Sequence, residues 1–134
     1  MAPNRAQPVS SPSLKDRRIL VVEDDWFIAD AVAGLLTEEG ATVFGPAGTL
    51  AEGAQLANYW PIDIALMDLN LHGQWADDLV VELARKEIVV VVVTGYEVNK
   101  PVADSAFATL KKPVASAELL NILRQAGSGK AQAT

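Results

Sequence analysis

Short apolar runs that end abruptly at polar residues recur along the chain and predict buried β-strands. The three strongest runs are residues 19–22, 62–67 and 88–93. Because these runs do not alternate apolar with polar residues, both faces of each strand should be covered, as in a parallel sheet. Residues 42–44 and 107–110 are weaker strand candidates, which brings the prediction to five strands.

Stretches with the spacing of an amphipathic helix separate these strands. The first ends at Gly40, a residue suited to a helix C-terminus. The second begins with a capping box from Thr49 to Glu52 and stops at Pro61. The last is expected to end near Gly127. The apolar positions that define the first, third and last helices are Ile28, Ala31, Val32, Leu35, Leu36, Leu79, Val80, Leu83, Leu119, Leu120, Ile122 and Leu123.

A helix between the fourth and fifth strands is predicted to be short, irregular or absent. Only a brief segment separates Thr94 from Lys112, and the fifth strand must fit inside it. Asn99, Pro101 and Asp104 also discourage a helix there. The alternation of strands and helices predicts an α/β fold, a doubly wound five-stranded parallel sheet with helices on both faces.

The chain is long enough for one domain and two short tails. With 134 residues, of which 50% are hydrophobic, it can bury a core without a disulfide or a structural metal. Residues 1–16 are rich in Pro, Ala, Ser and Gln, and residues 127–134 are small and polar. Both segments are predicted to be disordered, so that residues 17–126 form the domain.

The composition excludes several classes of site. There is no cysteine and one histidine, His72, which rules out thiol nucleophiles, thiolate zinc sites and sites that need two imidazoles. The formal net charge is −6, and many of the basic residues lie near the two ends, which argues against a nucleic-acid-binding surface. No apolar run approaches the roughly 18 residues of a membrane span, and the N-terminus lacks the apolar segment of a signal peptide. We therefore expect a soluble, cytoplasmic protein.

Polar residues follow the predicted strands at their carboxyl ends, which meet at one edge of a parallel sheet. They are Glu23 and Asp24 after the first strand, Asp68 after the third, Thr94 after the fourth and Lys112 after the fifth. Carboxylates that are brought together repel one another unless a cation lies among them, and oxygen ligands without sulfur or imidazole suit Mg²⁺. An aspartate can also accept a phosphoryl group as the nucleophile, so the pattern favours phosphoryl chemistry.

Each of these residues also has a simpler interpretation when taken alone. Asp24 and Asp25 could cap the first helix, and Asp25 is better explained as a cap than as a ligand. Thr94 could belong to an ordinary turn, and Lys112 to an exposed bend. His72 is interpreted as a solvent-facing loop residue. The convergence of four separate loops on one sheet edge favours a site over these alternatives.

The ordered set of motifs resembles the receiver domain of two-component response regulators. The residues that support the resemblance are Ile19 to Asp25 (ILVVEDD), Asp68 after residues 64–67, Thr94-Gly95, and Lys111-Lys112-Pro113. The resemblance covers about residues 18–125. It implies a flavodoxin-like sheet with strand order 2-1-3-4-5.

The resemblance also implies a metal site around a phosphoacceptor. Asp68 would accept the phosphoryl group, with Mg²⁺ as the cofactor. Asp24 would bind the metal directly, Glu23 would act mostly through water, and Asn70 would contribute its backbone carbonyl.

Two further residues would complete the implied site. Thr94 would contact the phosphoryl group, and Lys112 would pair with it. Lys112 is preferred over Lys111 because the family's lysine directly precedes the proline, and because neighbouring side chains of a strand point to opposite faces. The resemblance implies a phosphoacceptor signalling protein, which assists its own phosphorylation and dephosphorylation, and not an enzyme.

The chain departs from the family's pattern at several positions. His72 stands where a proline usually follows the phosphoacceptor, so this loop is expected to differ in shape. Thr109 stands where many receivers have the aromatic residue that swings inward on phosphorylation, which argues against such a switch there. The sequence from Thr94 to Tyr96 and the weak fourth helix resemble an atypical subgroup common as stand-alone proteins in alphaproteobacteria. Val92 stands where that subgroup often has phenylalanine.

The implied function is that of a single-domain response regulator. Its phosphoryl group would come from a sensor histidine kinase or a histidine phosphotransfer protein. The short segment after the last helix cannot encode a DNA-binding module, so the signal is expected to leave through a downstream protein partner or a phosphorelay. We expect a monomer or weak dimer, with no nucleic-acid or membrane partner. The alternatives are a phosphorylation-independent interaction module of the same fold and a metal-dependent phosphohydrolase. The sequence lacks the Asp-x-Asp pair that is expected of such a phosphohydrolase.

Overall fold

The structure is a computed structural model that describes residues 13–132, with side chains described as far as Ser128. Its strands are β1 (Arg18–Val22), β2 (Thr42–Ala47), β3 (Ile64–Met67), β4 (Asn70–Leu71), β5 (Gln74–Trp75), β6 (Val89–Thr94) and β7 (Ala108–Lys111). Its helices are α1 (Trp26–Glu38), α2 (Leu50–Tyr59), α3 (Asp77–Arg85), α4 (Lys100–Ser105) and α5 (Ser116–Gln132). Within these residues, no helix combines the length and apolar character that crossing a membrane requires.

The main sheet is parallel and has five strands in the order β2-β1-β3-β6-β7. β4 and β5 form a separate antiparallel hairpin, and without them the order is the predicted 2-1-3-4-5. β1 is paired on both sides, so that Leu20 lies opposite Phe44 of β2 and Ala65 of β3. The five predicted strands and the doubly wound, flavodoxin-like order are therefore confirmed.

Helices cover both faces of this sheet, as the non-alternating strand sequences predict. Leu20 and Val22 of β1 belong to the core on the side of α2 and α3, whereas Ile19 and Val21 belong to the core on the side of α1 and α5. Each of these four side chains is at most 2% exposed. Because successive side chains of a strand point to opposite faces, a strand buried on both sides must be apolar throughout.

The domain begins before the predicted boundary at residue 17. Leu14 is 1% exposed and packs in the core on the side of α1 and α5. The N–H of Asp16 donates to the carbonyl oxygen of Gly40 at 2.9 Å. Residues 13–16 are thus part of the domain and not of the predicted tail, because burial of the leucine fixes them against the core. The rest of that tail, residues 1–12, lies outside the described residues.

The last helix is longer than predicted. α5 continues to Gln132, past the expected end near Gly127 and into the predicted C-terminal tail. A Cβ atom at residue 127 would lie 3.0 Å from Nε of Arg17, so Gly127 provides room for the arginine and does not end the helix. Residues 133–134 lie outside the described residues.

The fourth helix is short, as predicted, but the expected helix-breaking residues support it. α4 has six residues. Asn99 is its N-cap and accepts a hydrogen bond from the N–H of Val102 at 3.0 Å. Pro101 lies in the first turn, where a missing N–H costs nothing, and Lys100 pairs with Asp104 at 2.9 Å. The prediction that these residues discourage a helix is therefore wrong, because it ignored their position within the helix.

The predicted helix caps are present. Asp25 is the N-cap of α1 and accepts hydrogen bonds from two amides of the first turn. Thr49 is the N-cap of α2, and its hydroxyl accepts from the N–H of Glu52 at 3.1 Å. The carboxylate of Glu52 accepts from the N–H of Gly48 at 3.0 Å, one residue before the usual partner in a capping box.

The hairpin of β4 and β5 has no counterpart among the predicted strands. His72 and Gly73 form its turn and have positive φ angles of 51° and 84°. A type I′ turn requires positive φ at both central residues, and its twist matches that of a hairpin. The substitution of His72 for the family's usual proline therefore places a residue that can adopt positive φ in this turn.

Candidate functional site

The carboxyl edge of the sheet brings together acidic residues from two loops. Glu23 and Asp24 directly follow β1, and Asp68 directly follows β3. Carboxylate oxygens of the three residues lie within 4.8 Å of one another. Glu23 and Asp68 are only 8% and 9% exposed, because they continue strands that are buried on both faces. The predicted clustering of carboxylates at this edge is therefore present.

Lys112 brings a positive charge into this acidic cluster from the end of β7. Its Nζ donates to Oδ2 of Asp68 at 2.9 Å and to Oε1 of Glu23 at 3.2 Å. The side chain of Lys111 instead reaches Glu97 at the surface, at 3.3 Å. The two lysines diverge because neighbouring side chains of an extended segment point to opposite sides.

Burial and charge set the protonation of the cluster. Desolvation raises the pKa of Glu23, and the negative charge of Asp68 raises it further, against the opposing effects of Lys112 and of the N–H of Asp25. Desolvation alone would lower the pKa of Lys112, but its hydrogen bond to Asp68 and the charges of both carboxylates outweigh this effect and raise it. Lys112 therefore remains an ammonium group that can bind anionic oxygens.

Asp24 lies beside the turn of the β4–β5 hairpin. The N–H of His72 donates to Oδ2 of Asp24 at 2.7 Å, and Nδ1 of the imidazole lies 3.3 Å from the same oxygen. Desolvation would raise the pKa of Asp24, but the hydrogen bond from the His72 amide, together with interactions with the side chains of Glu23 and His72, outweighs it, so the pKa is lowered. Asp24 is therefore stabilised as the anion that a cation site needs.

The loop after Asp68 connects the site to the segment between β6 and α4. The N–H of Asn70 donates to Oδ1 of Asp68 at 3.2 Å. The side-chain amide of Asn70 donates to the hydroxyl of Tyr96, also at 3.2 Å. The ring of Tyr96 packs edge-on against Trp75, with the centroids 5.0 Å apart. These contacts place Tyr96 and Trp75 at the border of the site.

Thr94 lies at the end of β6 with 2% of its surface exposed. Its hydroxyl oxygen accepts a hydrogen bond from the N–H of Tyr96 at 3.2 Å. Thr94 lines a cleft together with Thr109, and not the polar cavity that Asp24 and Asp68 line. In this conformation Thr94 is next to the carboxylate cluster without being part of its cavity.

Two cavities open onto Asp68 and Lys112. One is a mainly apolar cleft between α1 and α5. The other is polar, lies beside the β4–β5 hairpin and includes Asp24 and His72 in its lining. Asp68 and Lys112 line both cavities and thus form the wall between them.

The acidic cluster fits a hard divalent cation. Its three side chains, Glu23, Asp24 and Asp68, offer only carboxylate oxygens, and these lie close enough to share one ion. Mg²⁺ prefers oxygen ligands and usually takes one or two carboxylates, with water and phosphate oxygens at its other positions. A cation would also relieve the mutual repulsion of three carboxylates.

Two residues at the site were not predicted to belong to it. His72 is exposed, as predicted, yet it contacts Asp24. The His72-Gly73 pair could have indicated a tight turn, since a residue followed by glycine is common in type I′ turns. Tyr96 has no such signal, because its contact with Asn70 depends on the path of two separate loops.

Comparison with known proteins links the chain to one family. The family model for the response regulator receiver domain matches residues 19–124, which include the acidic cluster and Lys112. The transcriptional regulatory protein PdtaR of Mycobacterium tuberculosis is 32% identical over 117 residues, which cover 84% of this chain and 57% of that protein. The chain therefore spans little more than half the length of the curated relatives that it matches.

Solved structures are similar over most of the chain. A CheY-like receiver domain protein from Methanospirillum hungatei JF-1 has a TM-score of 0.82 and 26% identity, covering 90% of this chain and 100% of that one. The non-phosphorylated HemR receiver domain from Leptospira biflexa has a TM-score of 0.74 and 25% identity, covering 84% of this chain and 95% of that one. Both likenesses agree with the observed strand order.

Proposed function

The chain belongs to the response regulator receiver domain family, and from this premise we propose that Asp68 accepts a phosphoryl group from a sensor histidine kinase or a histidine phosphotransfer protein. The observation that supports this most is the contact of Lys112 with Asp68 at 2.9 Å, inside a cluster of carboxylates. A transferring phosphoryl group spreads negative charge over its oxygens, so an acceptor needs positive charge beside it. Asp68 has an ammonium group on one side and a cation-binding cluster on the other.

The proposed step exchanges one bond to phosphorus for another. A carboxylate oxygen of Asp68 forms an O–P bond while the N–P bond to the donor's histidine breaks. The donor imidazole keeps the electron pair of the broken bond and takes up a proton. The product is an acyl phosphate on Asp68.

Glu23, Asp24 and Asp68, together with the carbonyl oxygen of Asn70, would hold Mg²⁺ beside the acceptor, with Glu23 acting mostly through water. The bound metal would supply positive charge to the phosphoryl oxygens. Two contacts of Asn70 support this assignment, the hydrogen bond from its N–H to Asp68 and its pairing with Trp75 in the β4–β5 hairpin.

Lys112 and Thr94 are the proposed donors to the acyl phosphate. Lys112 already donates to Asp68, so a phosphoryl oxygen attached there lies within its reach. The hydroxyl of Thr94 accepts from the N–H of Tyr96, which leaves its own proton available for another acceptor. If Thr94 moves toward the phosphoryl group, it would draw the loop of Tyr96 with it, and this loop is where partners would sense the change.

We propose that the phosphorylated form acts in the cytoplasm through a protein partner or a phosphorelay and transforms no external substrate. The formal net charge of −6 gives no support to direct binding of nucleic acid. The name of PdtaR refers to transcription, but the similarity covers 57% of that protein, so a transcriptional role is not part of the proposal.

Phosphorylation of Asp68 can be tested with a small phosphoryl donor. Incubating the full chain with Mg²⁺ and acetyl phosphate should produce an acid-labile phosphate on Asp68 and change the fluorescence of Trp75, whose ring packs edge-on against Tyr96 beside the site. Asp68→Asn should abolish both signals, because the amide is a poor nucleophile. The phosphate is measured by intact mass and the fluorescence by titration.

The control is Asp78→Asn, which removes an exposed carboxylate of α3 and should leave both signals at the wild-type level. Phosphate on the Asp68→Asn variant, or its absence from the wild type, would rule out Asp68 as the acceptor. If Asp68→Asn left both signalling and partner binding unchanged, the phosphorylation-independent module would be the better description.

A further inference from the structure

His72 contacts one oxygen of Asp24 in two ways. Its backbone N–H donates to Oδ2 at 2.7 Å, and Nδ1 of its imidazole lies 3.3 Å from Oδ2. Neither contact uses Oδ1. His72 therefore contacts the carboxylate of Asp24 through Oδ2.

The turn of the β4–β5 hairpin fixes the direction of both contacts. His72 has a φ of 51°, a conformation that histidine adopts more often than most residues other than glycine. The N–H of Gly73 donates to Oδ1 of Asn70 at 2.8 Å, which closes the turn from within. The turn thus keeps the imidazole beside Asp24 although 76% of the His72 side chain is exposed.

We propose that His72 is a positioning residue of the metal site, which holds Oδ2 of Asp24 so that Oδ1 faces the divalent cation. This inference rests on the proposed function, because it assigns His72 a role in the Mg²⁺ site that Asp24 would help to form. A carboxylate that is already oriented loses less rotational freedom when it binds a metal, and groups that orient ligands in this way raise metal affinity. The family's usual proline at this position has neither an imidazole nor an N–H to perform this role.

Substitutions at residue 72 can separate the imidazole from the backbone of the turn. His72→Gly removes the imidazole but keeps a residue that accepts positive φ. His72→Asn also accepts positive φ, and its side-chain amide can place a donor near the position of Nδ1. The matched control is Gln74→Ala, which changes an exposed side chain of the same hairpin.

The first measurement is a titration of the full chain with Mg²⁺ alone at pH 8. Tryptophan fluorescence gives the dissociation constant. We expect His72→Gly to weaken Mg²⁺ binding about 3- to 10-fold, less than is usual for an orienting group because the imidazole is exposed. His72→Asn and Gln74→Ala should stay within about twofold of the wild type.

The second measurement uses the fact that the chain has one histidine. Nitrogen-15 NMR of the wild type at pH 8 without metal should show the proton on Nδ1, since this tautomer directs N–H toward Oδ2 of Asp24. Addition of Mg²⁺ should keep this tautomer. A change in overall stability alone would not select one tautomer.

The results distinguish this inference from the proposed function. If the wild type binds Mg²⁺ and His72→Gly binds equally or more tightly, the positioning role is wrong and the metal site stands. Loss of affinity in His72→Asn equal to that in His72→Gly, or a proton on Nε2, would also overturn the positioning role. If the wild type does not bind Mg²⁺ at all, the metal site of the proposed function fails, and the positioning role fails with it.

Discussion

The charge of Lys112 balances two carboxylates that are largely removed from water. The side chains of Glu23 and Asp68 are 9% and 10% exposed, and both lie within 3.2 Å of the same Nζ atom. Removing one partner from such a group leaves the remaining charges without compensation, which costs more than the group contributed as a whole. In the absence of metal, the stability of this charged group therefore depends on the positive charge of Lys112.

Replacing Lys112 with alanine should destabilise the metal-free protein by about 1–3 kcal/mol, because the carboxylates of Glu23 and Asp68 would then repel each other in a partly buried position. Mg²⁺ should restore stability more strongly in this variant than in the wild type, since the ion would replace the missing charge. Urea denaturation with and without Mg²⁺ measures both effects.

Lys111→Ala is the matched control for that experiment. Lys111 pairs with Glu97 at the surface, where their side chains are 65% and 95% exposed. An exposed pair contributes at most about 1 kcal/mol, and the loss should not depend on Mg²⁺. Equal Mg²⁺ effects in Lys112→Ala and the wild type would contradict a charge-balancing role for Lys112.

Predicting single residues from the sequence succeeded where the backbone alone determines the position. Glu23, Asp24 and Asp68 each follow a buried strand, so the parallel sheet must bring them to one edge. The contacts of His72 and Tyr96 depend on the conformation of loops, which apolar periodicity does not describe. Their participation in the site could therefore be seen only in the structure.

At the scale of elements, the position of a residue within a helix decided whether the helix forms more than the type of residue did. Asn99 and Pro101 disfavour the interior of a helix, yet at the start of α4 they satisfy or avoid free amide groups. The β4–β5 hairpin was missed because strands of two residues are too short to show a period of two. Long elements were predictable, and short ones whose formation depends on caps and turns were not.

Asn99→Ala should loosen α4 selectively. The substitution removes the cap on the N–H of Val102 and the hydrogen bond from Nδ2 of Asn99 to Asp77 of α3, at 2.9 Å. We expect a loss of about 1–2 kcal/mol that is concentrated in α4, since caps contribute that much. Hydrogen exchange of the α4 amides measures it directly.

Lys100→Ala provides the comparison within the same helix. It removes an ion pair with Asp104 whose side chains are 84% and 63% exposed, so exchange should change little. Equal protection of α4 in the wild type and Asn99→Ala would show that packing of Val102, which is fully buried, holds this helix without the cap.

At the scale of the whole molecule, one sheet separates two cores, and the chain before β1 contributes to one of them. Leu14 shares this core with Leu36 of α1 and Leu123 of α5, all at most 1% exposed. A segment that composition assigns to a tail is therefore part of the support for α1 and α5. Composition averages over many residues and cannot register one buried leucine at the edge of a polar segment.

Leu14→Ala should lower the free energy of unfolding by about 2–5 kcal/mol, the usual range for deleting a buried leucine side chain. This is a large share of the roughly 5–15 kcal/mol typical of a domain. Leu14→Met keeps most of the volume and should cost less than about 1.5 kcal/mol. Urea denaturation compares the two variants, and equal stability of Leu14→Ala and the wild type would exclude residue 14 from the core.

The wall formed by Asp68 and Lys112 between two cavities has a thermodynamic consequence. An occupant of the apolar cleft between α1 and α5 would contact Asp68, which would also bind an ion in the polar cavity. Binding free energies at two coupled sites are reciprocal. If a molecule in the cleft weakens Mg²⁺ binding by a given factor, Mg²⁺ weakens the binding of that molecule by the same factor. The affinity measured at either cavity therefore reports whether the other cavity is occupied.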